Sequence, residues 1–260
     1  VYGRPMPHAH LIRFGSWIGG DKDGNPNVTH ESLRWALLRY RQAILANYLT
    51  SLERLQEHLT QSDQLCRFSS AFLRSLANDR RTFPALTESL DARFPHQPYL
   101  QKLAIMMYRL RQMFRTPSES DGGYPSAEEF LHEIRLLQRS LTHHRADLIA
   151  EREVATLGLQ VGLFGFVFTK LDVREHSRRH EQAFAELVRL HGLSATDPLT
   201  MTEADRRALL DSLLSRPRYV ELLKDCSPDT REVIRTFQVM AEHIQHMDAE
   251  AIDGYIISMT

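Results

Sequence analysis

Phe14-Gly15-Ser16-Trp17-Ile18-Gly19-Gly20-Asp21-Lys22-Asp23-Gly24-Asn25-Pro26-Asn27-Val28-Thr29 changes backbone character twice. Its first residues close an apolar run, 11–18, that reads as a strand. Gly19, Gly20, Gly24 and Pro26 then alternate with Asp21, Asp23, Asn25 and Asn27. Such a composition makes close backbone turns and presents amides and carboxylates at a strand end. Thr29 stands as the N-cap of a helix over residues 30–58, in which Leu33, Leu37, Ile44, Leu45, Leu49, Leu52 and Leu55 fall near helical spacing.

The alternating Asp and Asn residues resemble a calcium-binding loop, but the count rejects it. Its sixth position is Pro26 where Gly is required, and its twelfth is Ser32 where a bidentate Glu belongs. A phosphate-cradling Walker loop fails as well, because no Gly-Lys-Ser/Thr follows. On the residues alone, a tightly turned, hydrogen-bonded loop accounts for Asp21, Asp23 and the asparagines.

Outward from this loop the chain reads mostly as helix. Further helices are expected over 64–78, between Pro84 and Pro95, and over 99–114. A loop follows at 116–125, and a capping box at Ser126 and Glu129 opens a helix to about residue 155 with a stripe of Phe130, Ile134, Leu137, Leu141 and Leu148. The helices either side of Asp121-Gly122-Gly123 read as a helical hairpin. The pattern changes at Gly165, and residues 164–173, with 166–173 as the main part, read as a buried strand. Helices follow over 178–191, closed by Gly192, over the stretch from Thr202 to 214, and from Ser227-Pro228 to 246. Residues 254–259 read as a last strand.

The fold class is therefore mainly α, with strands at 12–18, 166–173 and 255–259. Three strands cannot close a sheet or barrel. The chain also begins at Val1 and stops at Thr260, directly after an apolar run, so an internal piece of a larger fold is expected. It divides as a single partial domain: 1–29, the first strand and its Gly/Asp loop; 30–157, a helical hairpin insertion; and 158–260, the second strand, helices and the start of the third strand.

Bulk properties bound the function. A 42% apolar content over 260 residues supports a real core. Lys+Arg of 32 against Asp+Glu of 33 gives a net charge of -1, so no basic excess points to nucleic acid. No apolar run reaches the roughly 18 residues a membrane span needs; the longest candidate, 157–167, is interrupted by Gln160 and three glycines. No signal peptide is visible. Cys66 and Cys226 have no metal-ligand or disulfide spacing and read as reduced thiols of a cytoplasmic protein. Most of the 13 His fall in charge-rich stretches and read as solvated.

The second segment that carries chemistry is Leu171-Asp172-Val173-Arg174-Glu175-His176-Ser177-Arg178-Arg179-His180. A strand that ends in Asp and Arg brings charge to its carboxyl edge, where α/β barrels bind ligands. Arg offers a rigid fork of donors for phosphate or carboxylate. A structural ion pair from Arg174 to Asp or Glu explains the same residues.

Residues 14–29 resemble the phosphoenolpyruvate carboxylase motif Phe-Gly-Ser-Trp-x-Gly-Gly-Asp-Arg-Asp-Gly-Asn-Pro-Asn-Val-Thr. Residues 171–180 resemble that family's Leu-Asp-Ile-Arg-Gln-Glu-Ser-x-x-His, and the closing Tyr255-Ile256-Ile257-Ser258-Met259 is similar to its Tyr-Val-Ile-Ser-Met. The three occur in the family's order and at compatible spacing. The resemblance implies a helix-rich version of an eight-stranded α/β (TIM-like) barrel, of which this chain holds about three strands. It implies a lyase that converts phosphoenolpyruvate and bicarbonate to oxaloacetate and phosphate, fixing carbon dioxide to replenish the tricarboxylic acid cycle. It implies Mg2+ or Mn2+ as cofactor and a cytoplasmic homotetramer. Trp17 would line the apolar pocket beside the substrate methylene, and Arg174 would contact the substrate phosphate.

The chain departs from these motifs at Lys22, where Arg is usual, at Val173 for Ile, and at Glu175-His176, where Gln-Glu is common. These changes, His176 among them, leave the surroundings of Arg174 open. The family's catalytic His motif, Thr-Ala-His-Pro, does not occur here. Its metal-binding carboxylates, catalytic Lys, Gly-Arg-Gly-Gly loop and most of its inhibitor site lie downstream of the matching residues. The isolated piece is therefore expected to be inactive and to bind no metal. The alternative is a non-catalytic helical scaffold or interaction module that retains barrel motifs.

Overall fold

In a computed structural model of the chain, the described residues are 13–114, 122–215, 223 and 225–258. They fall into two compact units, one built on Arg39–Phe168 and the other on Phe14–Leu38 and Thr169–Thr260.

The first unit is helical. It contains the greater part of α1 (His30–His58), then α2 (Ser70–Thr82), α3 (Pro84–Arg93), α4 (Pro98–Gln112) and α5 (Ala127–His143). A short α6 (Asp147–Ile149) runs through a π-helical turn (Ala150–Val154) into α7 (Ala155–Phe164). The apolar stripes of these helices meet in one core, with Leu45, Tyr48, Leu52, Phe72, Tyr99, Leu103, Phe130, Ile134, Leu137 and Leu157 all buried. Pro84 and Pro98 open α3 and α4, where the missing N–H costs nothing. Ser69 and Ser126 cap α2 and α5 through their hydroxyls.

A charged cluster is sealed inside this unit. The Lys102 ammonium has no exposure, and it donates to Asp79 at 2.6 Å, Glu133 at 2.7 Å and Ser75 at 2.9 Å. The Tyr124 hydroxyl donates to the far oxygen of Glu133 at 2.5 Å, and the Arg109 guanidinium lies 3.8 Å from the centre of the Tyr124 ring. Burial raises the Asp79 carboxyl and the Tyr124 hydroxyl above their ordinary values.

The second unit holds the sheet: β1 (Gly15–Ser16), β2 (Lys170–His176) and β3 (Ile252–Ser258), in the order β1-β2-β3 and all parallel. Parallel neighbours need crossover connections. Between β2 and β3 these are α8 (Ser177–Leu190), α9 (Glu203–Ser215) and α10 (Pro228–His246). Glu186 of α8 fixes the start of α10, accepting from the Ser227 backbone at 2.5 Å, the Ser227 hydroxyl at 2.6 Å and the Thr230 hydroxyl at 2.5 Å.

The helix-rich character and the small parallel sheet match the sequence reading, but several boundaries do not. The strand expected over 166–173 begins only at Lys170. Residues 155–164 are α7, and Gly165, with φ of +54°, ends it. Phe166 is apolar because it is buried against Tyr48 and Phe130 in the turn, not because it lies in a sheet. The helix expected to run to residue 155 stops at His143, and Arg145 takes φ of +66° before the chain restarts. The helix expected from residue 64 begins at Ser70, after turns. Of the strand expected over 12–18, Gly15–Ser16 is extended, and residues 11 and 12 lie outside the described residues. The last strand, expected over 255–259, starts three residues early, at Ile252, and Met259 also lies outside the described residues.

Candidate functional site

The Gly/Asp loop and the end of β2 form one polar cluster in the second unit. Along β2 the side chains alternate. Leu171, Val173 and Glu175 are buried, while Lys170, Asp172, Arg174 and His176 face the other way and are partly exposed. The loop after β1 is stitched onto β2: Arg174 N–H donates to the Gly20 carbonyl at 2.8 Å, and Lys22 N–H donates to the Arg174 carbonyl at 2.9 Å. Gly19 makes the turn that allows this. Its φ is +87°, and a β-carbon there would meet the Ala36 side chain at 2.4 Å.

This stitching brings the two sequence-derived site residues together. The Arg174 guanidinium carbon lies 4.7 Å from the Trp17 ring centre, a cation–π contact. Trp17 is 53% exposed, and its indole N–H donates to Asp172 Oδ2 at 3.2 Å, which fixes the ring plane. Two loop carboxylates face the guanidinium, Asp21 at 3.5 Å and Asp23 at 3.8 Å. These are ion-pair distances rather than hydrogen bonds, so the donor fork of Arg174 is only loosely engaged. One oxygen of Asp21 is buried with no hydrogen-bond partner. The arrangement is a guanidinium fork with an aromatic face beside it and two carboxylates at ion-pair distance.

Beneath the loop lies a group that the sequence reading did not single out. The Lys22 ammonium has no exposure, and it donates to Thr236 at 2.5 Å and Glu232 at 2.7 Å, both on α10, with Glu175 at 3.7 Å. Glu232 also accepts from the His30 backbone at 2.6 Å and faces His30 Nδ1 at 2.5 Å. Burial alone would raise the Glu232 carboxyl, but hydrogen bonds from Lys22 and His30, with the Lys22 charge, outweigh it and hold the carboxyl below its ordinary value. The sequence marks Lys22 only as a departure from the motif; the approach of α10 buries it. His176 caps α8, its Nδ1 accepting from Arg178 N–H at 3.1 Å. His180 sits against Phe237 and Tyr255, and burial lowers its pKa.

Among the described residues no three His, Cys, Asp or Glu side chains converge on one point as a cation would need. Neither cysteine is in a disulfide. No described helix is long and apolar enough to cross a membrane.

Three parallel strands with helical crossovers make this an α/β segment, and the polar cluster lies at the carboxyl end of β1 and toward that of β2. The chain belongs to the phosphoenolpyruvate carboxylase family, whose family model matches residues 2–260. It is similar to the phosphoenolpyruvate carboxylase of Roseiflexus castenholzii, with 34% identity over 262 residues, covering 96% of this chain and 28% of that protein. The Rhodothermus marinus phosphoenolpyruvate carboxylase is 36% identical over 265 residues, covering 100% of this chain and 28% of the relative. For that of Synechocystis sp. the identity is 34% over 270 residues, covering 98% and 26%. The chain thus spans about a quarter of the length of the curated relatives it matches.

Proposed function

We propose that this chain is the segment of a phosphoenolpyruvate carboxylase that supplies one phosphate clamp and one wall of the substrate pocket. The three strands are then consecutive parts of a TIM-like barrel whose other strands come from the rest of the parent. In the parent reaction bicarbonate attacks the phosphorus of phosphoenolpyruvate, giving carboxyphosphate and an enolate. Carbon dioxide released from carboxyphosphate, with phosphate as the other product, is captured by the enolate carbon to give oxaloacetate. Arg174 neutralises charge on the transferring phosphoryl group, and the exposed face of Trp17 keeps water from the methylene side. The observation that supports this reading is the contact between Trp17 and Arg174 at the carboxyl edge of the sheet. The cytoplasmic homotetramer expected of the parent belongs to the same reading.

The test is Arg174→Lys in the full-length parent. Lys keeps the charge but loses the planar two-point contact. Losing one preorganised donor to a transition-state oxyanion costs about 2.7–4 kcal/mol, or roughly 10²–10³ in kcat. A rise in KM alone makes Arg174 a uniform binding residue. Unchanged kinetics with earlier melting makes it a structural partner of Asp21 and Asp23, and the reading fails.

A further inference from the structure

Two of the points where the chain departs from the family motifs, Lys22 and Glu175, touch each other. Lys22 Nζ is 3.7 Å from Glu175 Oε2, and the side chains are 0% and 1% exposed. The motif has Arg and Gln at these places, a cation and a neutral amide. Here a more compact cation faces an added negative charge. A carboxylate sealed from water is tolerated only when paired. Lys22 supplies the pairing together with Arg179, which lies 3.4 Å from the same oxygen.

The shape of the ammonium matters as much as its charge. The point-like ammonium donates to Thr236 at 2.5 Å and Glu232 at 2.7 Å and keeps its charge 3.7 Å from Glu175. A planar guanidinium spreads its donors sideways and needs different acceptors.

This buried pair also lies directly behind the site. Glu175 follows Arg174 on β2 and, by strand alternation, points to the opposite face. Lys22 lies between Asp21 and Asp23, the two carboxylates that face the Arg174 guanidinium, and its own N–H is bonded to the Arg174 carbonyl. One ion pair therefore anchors, from beneath, both backbone segments that set the position of Arg174.

We propose that Lys22 and Glu175 are a matched positioning pair, exchangeable for Arg and Gln only together, that sets the Arg174 guanidinium for the phosphoryl group; this rests on the reading of Arg174 given above. The experiment compares Lys22→Arg, Glu175→Gln, the double variant and Arg174→Lys in the full-length parent, reading kcat, KM for phosphoenolpyruvate and melting midpoint. Each single change is expected to lower kcat/KM about tenfold, since sub-ångström misplacement of a clamp is costly. The double variant is expected to return to within about threefold of the starting enzyme, the non-additivity of residues in contact. A double variant that loses the product of the two single effects overturns the pairing. Single variants that melt earlier with unchanged kcat/KM overturn the positioning role. If a single variant does not accumulate folded, the double decides, within about threefold supporting the pair and beyond about tenfold overturning it. Arg174→Lys with unchanged kinetics overturns both this inference and the functional reading; an impaired Arg174→Lys beside an additive pair overturns this inference alone.

Discussion

Gly20 runs so close to β2 that a β-carbon on it would lie 2.5 Å from the Asp172 carbonyl oxygen. The obstacle is backbone, which cannot swing aside as a side chain does. Gly20→Ala must therefore push the loop off the strand, at a cost of about 1–3 kcal/mol, the usual range for forcing an extra carbon into a packed place. Gly15→Ala is the control, since the nearest atom to its β-carbon is 4.0 Å away, and it should stay within about 0.5 kcal/mol. Urea unfolding of the two variants checks this; equal midpoints would mean that the loop does not need its close seat.

The Lys102 cluster makes a second prediction. Lys102→Met leaves Asp79 and Glu133 buried without their shared cation, and breaking such a set costs about 3–5 kcal/mol. Neutralising all three together, with Lys102→Met, Asp79→Asn and Glu133→Gln, should cost less than the single change, because no uncompensated charge remains. Chemical denaturation of both variants decides the order, and a triple variant less stable than Lys102→Met refutes the charge argument.

Acid should weaken the chain in two windows. Burial lowers the His180 pKa in the folded state, so the unfolded chain takes up that proton more readily. The contribution of neutral His180 is present above the unfolded value of about 6.5 and is lost as pH falls below it. Glu232 and Glu186 are held below their ordinary values. In both, burial raises the carboxyl and hydrogen bonds from Lys22 and His30, or from Ser227 and Thr230, outweigh it. Their contribution is present above about pH 4.3 and is lost as pH falls through the lowered folded values. The check is His180→Gln: its stability deficit against the unaltered chain should shrink between pH 7.5 and 5. A constant deficit assigns the first window to other groups.

The purified 260-residue chain should form no oxaloacetate from phosphoenolpyruvate and bicarbonate. On the proposed reading the chain supplies one clamp and one pocket wall, while catalysis by positioned charge needs the whole constellation. A coupled assay measures this directly; product above background that disappears with Arg174→Ala would show the segment to be self-sufficient.

Helix starts were legible wherever a cap announced them: Ser126, Ser227 and Thr202 stand where the sequence sets them, because a side-chain oxygen serving the first free N–H groups is a local matter. The strand near Gly165 was misjudged because Phe166 and Val167 are equally apolar in a buried turn and in a sheet, and period alone does not separate the two. Trp17 and Arg174 are singled out by the motifs, and the structure brings their side chains into contact. The burial of Lys22 was not, since it depends on Glu232 and Thr236 arriving from a helix far along the chain.

The alternation along β2 acts as a reading frame. Lys170, Asp172, Arg174 and His176 occupy one phase, and Leu171, Val173 and Glu175 the other. Adding or deleting one residue upstream within the strand would exchange the phases. It would bury the guanidinium among apolar neighbours and turn Glu175 outward, leaving Lys22 without one of its partners. Substitutions at single positions of β2 can be graded in effect, but a one-residue change in its length has no mild form. Length variation in this part of the chain therefore belongs in the connections either side of the strand.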